Sequence, residues 1–177
     1  MTTYAALLRG VNVGGKNRVP MADLRRRLGE LAFEGVTTYL QSGNVILRSP
    51  AGSDAPGNQV RRAVREVAGI EIDVLVRTAE ELSDIVGRNP FLSVEADHSK
   101  LHVLFCDREA DEDHLAALDR NRSPGDTLAP SGREIFLHLA EGAGKTRLTL
   151  DYFERTLTIR GTARNWNTVM KLAALTA

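Results

Sequence analysis

Apolar residues near the start of the chain follow first the spacing of a strand and then that of a helix. Residues 4–9 form a short apolar run typical of a β-strand. Met21, Leu24, Leu28 and Leu31 then recur at intervals of three and four, which is the spacing of an amphipathic helix. A polar, glycine-containing loop separates the two. The pattern predicts a strand, a loop and a helix in that order.

The next segment predicts a β-hairpin and a second helix. Residues 37–47 hold two strand-like runs joined by Ser-Gly-Asn, so we expect antiparallel neighbours. Residues 49–58 are rich in Ser, Pro, Gly and Ala and predict an exposed loop. Valines at helical spacing follow, and Gly69 is placed to end that helix.

A fourth strand completes a recognisable order of elements. Ile72, Val74 and Val76 alternate as in a strand, and residues 78–81 (TAEE) have the form of a capping box that opens another helix. Up to residue 77 the predicted order is β-α-β-β-α-β. This order predicts the ferredoxin-like arrangement, with both helices on one face of an antiparallel sheet.

The second half of the chain repeats this order of elements. We expect a strand over residues 101–106, a helix, two strands flanking residues 130–132, a helix through Phe153, a short strand over residues 156–160, and an added helix from about Arg164. The predicted fold class is therefore α+β, with a ferredoxin-like half over residues 1–78 and a second α+β half over residues 79–177. The duplication rests on element order alone, since the two halves share no visible residue-level repeat.

Composition limits the classes of function. The 177 residues carry 23 Lys and Arg against 23 Asp and Glu, so the molecule as a whole lacks the positive charge typical of nucleic-acid-binding proteins. Residues 1–48 hold seven basic residues against three acidic ones, so a local positive region is expected there. The lone Cys106 excludes an internal disulfide, and the absence of a long apolar run or a leader pattern predicts a cytoplasmic protein with no membrane partner.

The loop over residues 9–17 (RGVNVGGKN) carries the clearest candidate chemistry. Glycines let backbone N–H groups approach an anion closely, and lysine adds a positive charge. Gly10, Gly15 and Lys16 satisfy the spacing of a nucleotide phosphate loop, but Asn17 stands where that motif has Ser or Thr. A glycine turn that only redirects the chain is the competing interpretation.

Two other polar segments are candidates for the same site. Residues 41–44 (QSGN) also have the composition of a tight hairpin turn, and residues 162–168 (TARNWNT) predict the polar start of a helix. If the three segments converge, they form an anion site. The predicted ligand-binding residues are Arg9, Asn12, Gly14, Gly15, Lys16, Asn17, Gln41, Ser42, Asn44, Arg164, Asn165, Trp166 and Asn167.

Four motifs, taken in order, resemble one known family. These are LLRGVNVGGKN at residues 7–17, YLQSGNV at 39–45, NPF at 89–91 and TARNWNT at 162–168. In them the chain resembles the bacterial proteins grouped as domain of unknown function family 1697. The resemblance implies a cytoplasmic α+β protein with a ferredoxin-like N-terminal part and an unassigned biochemical function.

The expected ligand is a phosphate-bearing small molecule or a nucleic-acid end, and the patterns support neither a metal nor a cofactor. The four histidines have no spacing typical of metal ligands, and no activated serine or cysteine is visible. A nucleotide-dependent phosphotransferase, with Asp107 on magnesium, is one alternative. A nucleic-acid-binding module, with Tyr39 and Phe105 on its sheet, and a protein-interaction module without a small ligand are two others. Oligomeric state does not follow from the sequence.

Overall fold

The computed structural model describes residues 1–31, 33–50, 52 and 54–177. The strands are β1 (Thr2–Leu8), β2 (Glu34–Tyr39), β3 (Asn44–Ser49), β4 (Val74–Thr78), β5 (Leu101–Cys106), β6 (Thr127–Ser131), β7 (Glu134–His138) and β8 (Gly161–Asn165). The helices are α1 (Met21–Gly29), α2 (Asp54–Ala68), α3 (Ala79–Gly87), α4 (Glu112–Ala116), α5 (Leu150–Leu157) and α6 (Trp166–Thr176), with a 3₁₀ turn at His98–Lys100.

The described residues form two compact units. The first contains Met1–Ser83 together with Leu172–Ala177, and the second contains Asp84–Lys171. The sequence places the boundary after residue 78. It does not foresee that the last residues of α6 belong with the first unit.

The first unit has the predicted ferredoxin-like topology. Its sheet has the order β2-β3-β1-β4 with antiparallel neighbours throughout. Leu24 and Leu28 of α1 and Val60 and Val64 of α2 pack with one face of the sheet, including Leu47, in one buried cluster. Complete burial of each such aliphatic side chain stabilises the fold by about 1.5–3 kcal/mol.

The capping box predicted at the start of α3 is present. The Thr78 hydroxyl accepts a hydrogen bond from the Glu81 backbone N–H at 3.1 Å, and the Glu81 carboxylate accepts one from the Thr78 N–H at 2.8 Å. Each side chain thus satisfies a backbone donor that the helix itself leaves unpaired.

The second unit repeats this topology, as predicted. Its sheet has the order β6-β7-β5-β8, and α5 contributes Phe153 and Leu157 to a core with Leu104 and Leu137. The fold class is α+β with two similar halves and a C-terminal helix.

The repeat extends to individual hydrogen bonds. The Leu8 N–H bonds to the Gly43 carbonyl at 2.9 Å, and in the second unit the Cys106 N–H bonds to the Arg133 carbonyl at 2.8 Å. Each bond joins the last residue of the first strand of its unit to the residue just before the third. When the two units are aligned so that these bonds correspond, the ends of their equivalent strands correspond as well.

One buried arginine per sheet follows the same correspondence. Arg77 is aligned with Ala5 across β4 and β1, and Arg164 is aligned with Val103 across β8 and β5. Both arginines are buried. The two sheets therefore share a polar position that the sequence comparison of the halves does not reveal.

Two predicted boundaries in the second half are wrong. Residues 156–160 do not form a strand, because α5 runs to Leu157 and Thr158 ends it in the left-handed conformation at φ 54°. The strand begins instead at Gly161, where an added Cβ would lie 2.9 Å from the Leu104 side chain. Arg164 consequently lies in β8, and the final helix starts at Trp166.

The loop predicted over residues 49–58 is also too long. The helix α2 already begins at Asp54, with Pro56 in its first turn, where proline is tolerated. Gly57 brings this helix close to β4, since a Cβ there would lie 3.1 Å from the Val76 side chain. Residues 51 and 53 of the predicted loop lie outside the described residues.

Candidate functional site

The glycine loop of the first unit is organised around one asparagine side chain. The Asn12 amide donates to the Val19 carbonyl at 3.1 Å and to the Gln41 carbonyl at 2.6 Å, and its side-chain oxygen accepts from the Val19 N–H at 2.9 Å. Asn12 adopts φ 53°, a left-handed conformation that asparagine tolerates better than most residues. The loop between β1 and α1 is thus closed from within.

A second asparagine closes the base of the same loop. The Asn17 side chain donates to the Gly10 carbonyl at 3.0 Å, and its backbone carbonyl accepts from the Asn12 N–H at 3.0 Å. The two predicted ligand-binding asparagines of this loop therefore serve its shape. Their predicted ligand contacts stay predictions.

Gly14 and Gly15 form the tip of the loop. The Lys16 N–H bonds to the Val13 carbonyl at 3.0 Å, and the two glycines have φ 57° and 75°. Two positive φ values in a two-residue connection define a type I′ turn, which glycine adopts without steric cost. Both glycines are exposed, and their N–H groups have no acceptor among the described residues.

The QSGN turn lies directly against this loop. Leu40, which precedes the turn, has φ 60°, and Gly43 within it has φ 87°. A Cβ on Gly43 would lie 2.4 Å from the Val11 side chain and 2.8 Å from the Leu8 Cβ. Glycine is therefore required there both by conformation and by the close approach of the two loops.

Gln41, Ser42 and Asn44 have different environments within this turn. Gln41 and Ser42 are exposed at its tip. Asn44 is fully buried, and its side-chain amide donates to the Tyr39 carbonyl at 2.8 Å. We call residues 9–20 and 40–44 together the loop cluster.

The loop cluster carries positive charge. Lys16 and Arg18 are exposed, and neither forms an ion pair within the part of the chain that the structure describes. Arg9 is half-buried, and its backbone N–H bonds to the Asp73 carbonyl at 3.0 Å. The sequence reasoning missed Arg18, although its position next to the predicted residue Asn17 was a usable signal.

The third predicted segment lies in the second unit. Arg164 is buried and donates to the Thr162 hydroxyl at 2.7 Å and to the Ala163 carbonyl at 2.9 Å. Removal of its guanidinium from water lowers the pKa of Arg164 to about 10. The arginine is thus held by its own strand.

Asn165 and Trp166 join this strand to α6. The Asn165 side chain caps the helix, accepting from the Asn167 N–H at 2.9 Å, and also donates to the Ser99 carbonyl at 3.1 Å. Trp166 is fully buried, whereas Asn167 is exposed. The structure brings the first two predicted segments together, and convergence of the third with them stays a prediction.

The loop does not have the geometry of a nucleotide phosphate loop. In such a loop the lysine lies at the start of the helix that receives the phosphate. Here Lys16 closes a hairpin turn, and α1 begins only at Met21 after an extended Pro20. The lysine is thus separated from the helix N-terminus.

Asp107 has a structural function in the second unit. Its carboxylate accepts a hydrogen bond from the Arg160 N–H at 3.0 Å, and its own N–H bonds to the Arg160 carbonyl at 2.9 Å. These bonds close the start of β8 against the end of β5.

Within the described residues, neither a metal-binding cluster, a membrane-spanning helix nor the aromatic Phe105 provides a second candidate site. In the described ranges, no group of three or more His, Cys, Asp or Glu residues is placed to hold a metal ion. Across the same residues, none of the helices combines the length and apolar character needed to cross a bilayer. Phe105 is fully buried, so it offers no stacking surface for a base.

Comparisons with known proteins agree with this architecture. No curated protein matches the chain. Among solved structures, the conserved bacterial protein SP0830 from Streptococcus pneumoniae is similar, with 25% sequence identity, a TM-score of 0.75, and 99% of each chain covered. The sequence model of the proteins of unknown function termed DUF1697 matches residues 1–136. The chain therefore belongs to the DUF1697 family.

Proposed function

We propose that the loop cluster of the first unit binds a phosphate-bearing anion. The backbone N–H groups of Gly14 and Gly15 would donate to the anion, and Lys16 and Arg18 would neutralise its charge. Hydrogen bonds between ionised partners are shorter and roughly twice as strong as those between neutral groups. Exposed N–H groups on a glycine turn, flanked by cations, suit such a ligand.

The comparison of the two halves is the observation that carries this proposal. In the second unit, residues 107–111 suffice to connect β5 to α4, and residues 132–133 suffice to connect β6 to β7. In the first unit, the corresponding connections span residues 9–20 and 40–43 and are joined by the Asn12–Gln41 bond. The fold itself therefore does not require these longer loops.

Preorganisation supports the same conclusion. Asn12 and Asn17 together make four side-chain hydrogen bonds that fix the loop. A loop fixed before binding loses little conformational entropy when it receives a ligand. A connection that served only to redirect the chain would not need this internal support together with two exposed cations that form no ion pair among the described residues.

The rival functions are less well supported. A phosphotransferase of the phosphate-loop type needs its lysine at the helix N-terminus, whereas α1 begins five residues after Lys16, and Asp107 is already used by the Arg160 backbone. A nucleic-acid-binding sheet would need exposed aromatic side chains, but of the two aromatics proposed for it Phe105 is buried and Tyr39 is only half-exposed. Small anions are therefore the first ligands to examine.

A thermal-shift screen tests the proposal. The protein is heated with inorganic phosphate, pyrophosphate, nucleotides, sugar phosphates and short oligonucleotides, and Lys16→Ala/Arg18→Ala is tested beside it. A ligand at 100 times its Kd stabilises the folded protein by about 2.7 kcal/mol, which gives a measurable rise in Tm. We expect a stabilising anion whose effect disappears in the double variant.

Lys145→Ala is the matched control. This exposed lysine lies in the second unit, and among the described residues it pairs only with Glu141, at 3.5 Å. It should retain the full stabilisation. Equal loss in both variants would mean that the anion acts through general charge, and silence across the screen would contradict the proposal.

A further inference from the structure

We propose that the open edge of β2 binds an extended, acidic peptide segment, which adds to the first sheet as an additional strand. This inference is independent of the loop cluster. It rests on the direction of the backbone groups at the edge, on a difference between the two halves, and on the charges beside the strand.

The hydrogen-bond register shows which backbone groups are available. Leu8 and Gly43 are joined by a backbone hydrogen bond, so at Gly43 the chain directs its N–H and C=O toward β1. These directions alternate along an antiparallel strand, so Val45 also faces β1. Thr38 is aligned with Val45. Thr38 therefore directs its own N–H and C=O away from β3, to the edge of the sheet.

The corresponding edge of the second sheet is blocked. With the strand ends of the two units aligned, Pro130 of β6 takes the place of Thr38, and it is aligned with Ile135 as Thr38 is with Val45. Proline has no N–H and prevents a further strand from pairing at that position. The first sheet keeps an N–H donor at this position, that of Thr38.

Protection of the β2 edge is confined to one end. The register shifts between Glu34 and Thr37, which indicates a bulge, and Gly35 lies there at φ 60°. Bulges discourage strand addition. From Thr37 to the end of the strand the pairing is regular and every residue is uncharged.

Positive charge lies beside this edge. A surface depression of about 610 Å³ is lined by Arg25 and Arg26 of α1, by Phe33, which precedes β2, and by Gly35 and Val36 of β2, together with Ala22, Asp23 and Gly29. Arg26 pairs with Asp23 at 3.1 Å. Arg25 is exposed and has no ion pair within the described part of the chain. A peptide that pairs at Thr38 and continues along β2 toward its start would pass these arginines, where carboxylates are favoured.

The same charges argue against a second copy of this chain as the partner. Antiparallel pairing of two β2 edges around a twofold axis keeps the helix-covered faces on the same side. With this pairing centred on Thr38, Leu40 and Gln41 of the second copy would lie opposite Val36 and Gly35, and neither residue offers the arginines a carboxylate. An acidic peptide, in contrast, would bring carboxylates to the arginines.

Binding of two defined peptides tests the inference. The first is a capped peptide of about ten residues with alternating Val and Glu, and the second replaces each Glu by Lys. Fluorescence anisotropy with labelled peptides measures both affinities for the intact protein. We expect the acidic peptide to bind about tenfold more tightly than the basic one, and Arg25→Glu/Arg26→Glu to remove that preference.

Thr38→Pro removes the outward N–H without breaking a bond to β3, as Pro130 does in the other sheet. It should abolish binding of the acidic peptide while circular dichroism and Tm show a folded protein. Thr38→Val is the matched control and should bind normally, because it keeps the backbone donor.

Three results would overturn the inference: no saturable binding of the acidic peptide, binding that survives Thr38→Pro, or equal binding of both peptides. Sedimentation tests whether the partner is instead a second copy of this chain. A wild-type dimer that Thr38→Pro converts to monomer would assign the edge to self-association instead.

Discussion

The side-chain amide of Asn12 donates a 2.6 Å hydrogen bond to the backbone carbonyl of Gln41, which joins the glycine loop to the QSGN turn. The residues lie 29 positions apart in the chain. Packing of Val11 against Gly43 reinforces the junction. Two loops that the sequence shows as separate motifs are therefore one structural feature.

Replacing Asn12 by alanine should destabilise the first unit. The change removes three hydrogen bonds and places alanine at φ 53°, so we expect a loss of about 2–4 kcal/mol in the free energy of unfolding. Urea denaturation measures it. Asn17→Ala, which removes one side-chain bond at a similar φ, is the control and should lose about half as much. Equal losses would show that Asn12 does not organise the cluster.

Substitution of two glycines should separate conformation from packing. Gly43→Ala adds a clash with Val11 to the strain of a positive φ, and we expect it to destabilise the protein by about 3 kcal/mol or more. Gly14→Ala meets open space and carries only the conformational strain, about 1–2 kcal/mol. Comparable Tm values for the two variants would contradict the close contact between the loops.

The stability of the second unit should depend on the ionisation of Glu95. Hydrogen bonds from the Asp97 N–H and from His138 lower the pKa of Glu95. A lowered carboxylate pKa in the folded state gives stability that is present above the unfolded pKa and is lost as the pH falls through the folded value. The variant Glu95→Gln should therefore lose less stability than the wild type on acidification. The Tm of both proteins is measured from neutral pH down to pH values below the ordinary pKa of glutamate.

Glu141→Gln is a suitable control for this prediction, because this exposed carboxylate pairs only with Lys145 among the described residues. Its acid dependence should match that of the wild-type protein. Identical profiles for Glu95→Gln and the wild type would show that Glu95 does not contribute.

The capping box at the start of α3 gives a local test of the fold. Thr78→Ala removes the hydroxyl that accepts the Glu81 N–H, and the expected loss is about 1 kcal/mol. Thr78→Ser keeps the acceptor and should retain most of the stability. A loss as large in Thr78→Ser would assign the effect to packing of the methyl group.

The sequence predicts those features that depend on local chemistry. Hydrophobic spacing identifies α1 and the β2-β3 hairpin, and the TAEE motif identifies the start of α3, because each signal lies within a few residues. The order of these elements is enough to indicate the ferredoxin-like topology in both halves.

The errors arise where distant residues determine the local structure. Thr156 to Arg160 have strand-like composition, yet the strand begins at Gly161, where only glycine fits against Leu104 and the Phe105 carbonyl. Likewise, the position of Gly57 against Val76 is a property of the packed sheet. Neither contact has a signal in the neighbouring sequence.

The candidate site shows the same division between local signals in the sequence and contacts between distant residues. The glycines and cations of the loop are visible in the sequence, but Asn12 has the side-chain chemistry of a ligand contact as well as that of a loop brace. Only its hydrogen bonds to Val19 and Gln41 reveal the second role. Gly14, Gly15, Lys16 and Arg18 are exposed, and among the described residues the glycine N–H groups have no acceptor and the two cations have no ion pair.

The most direct test of the central proposal is an NMR titration of the ¹⁵N-labelled protein with pyrophosphate, followed at the backbone amides. The account predicts saturable shifts of the Gly14 and Gly15 amides that disappear in Lys16→Ala/Arg18→Ala and persist in Lys145→Ala. Unchanged Gly14 and Gly15 amides at saturating pyrophosphate, or shifts that scale only with ionic strength, would contradict an anion site at the loop cluster.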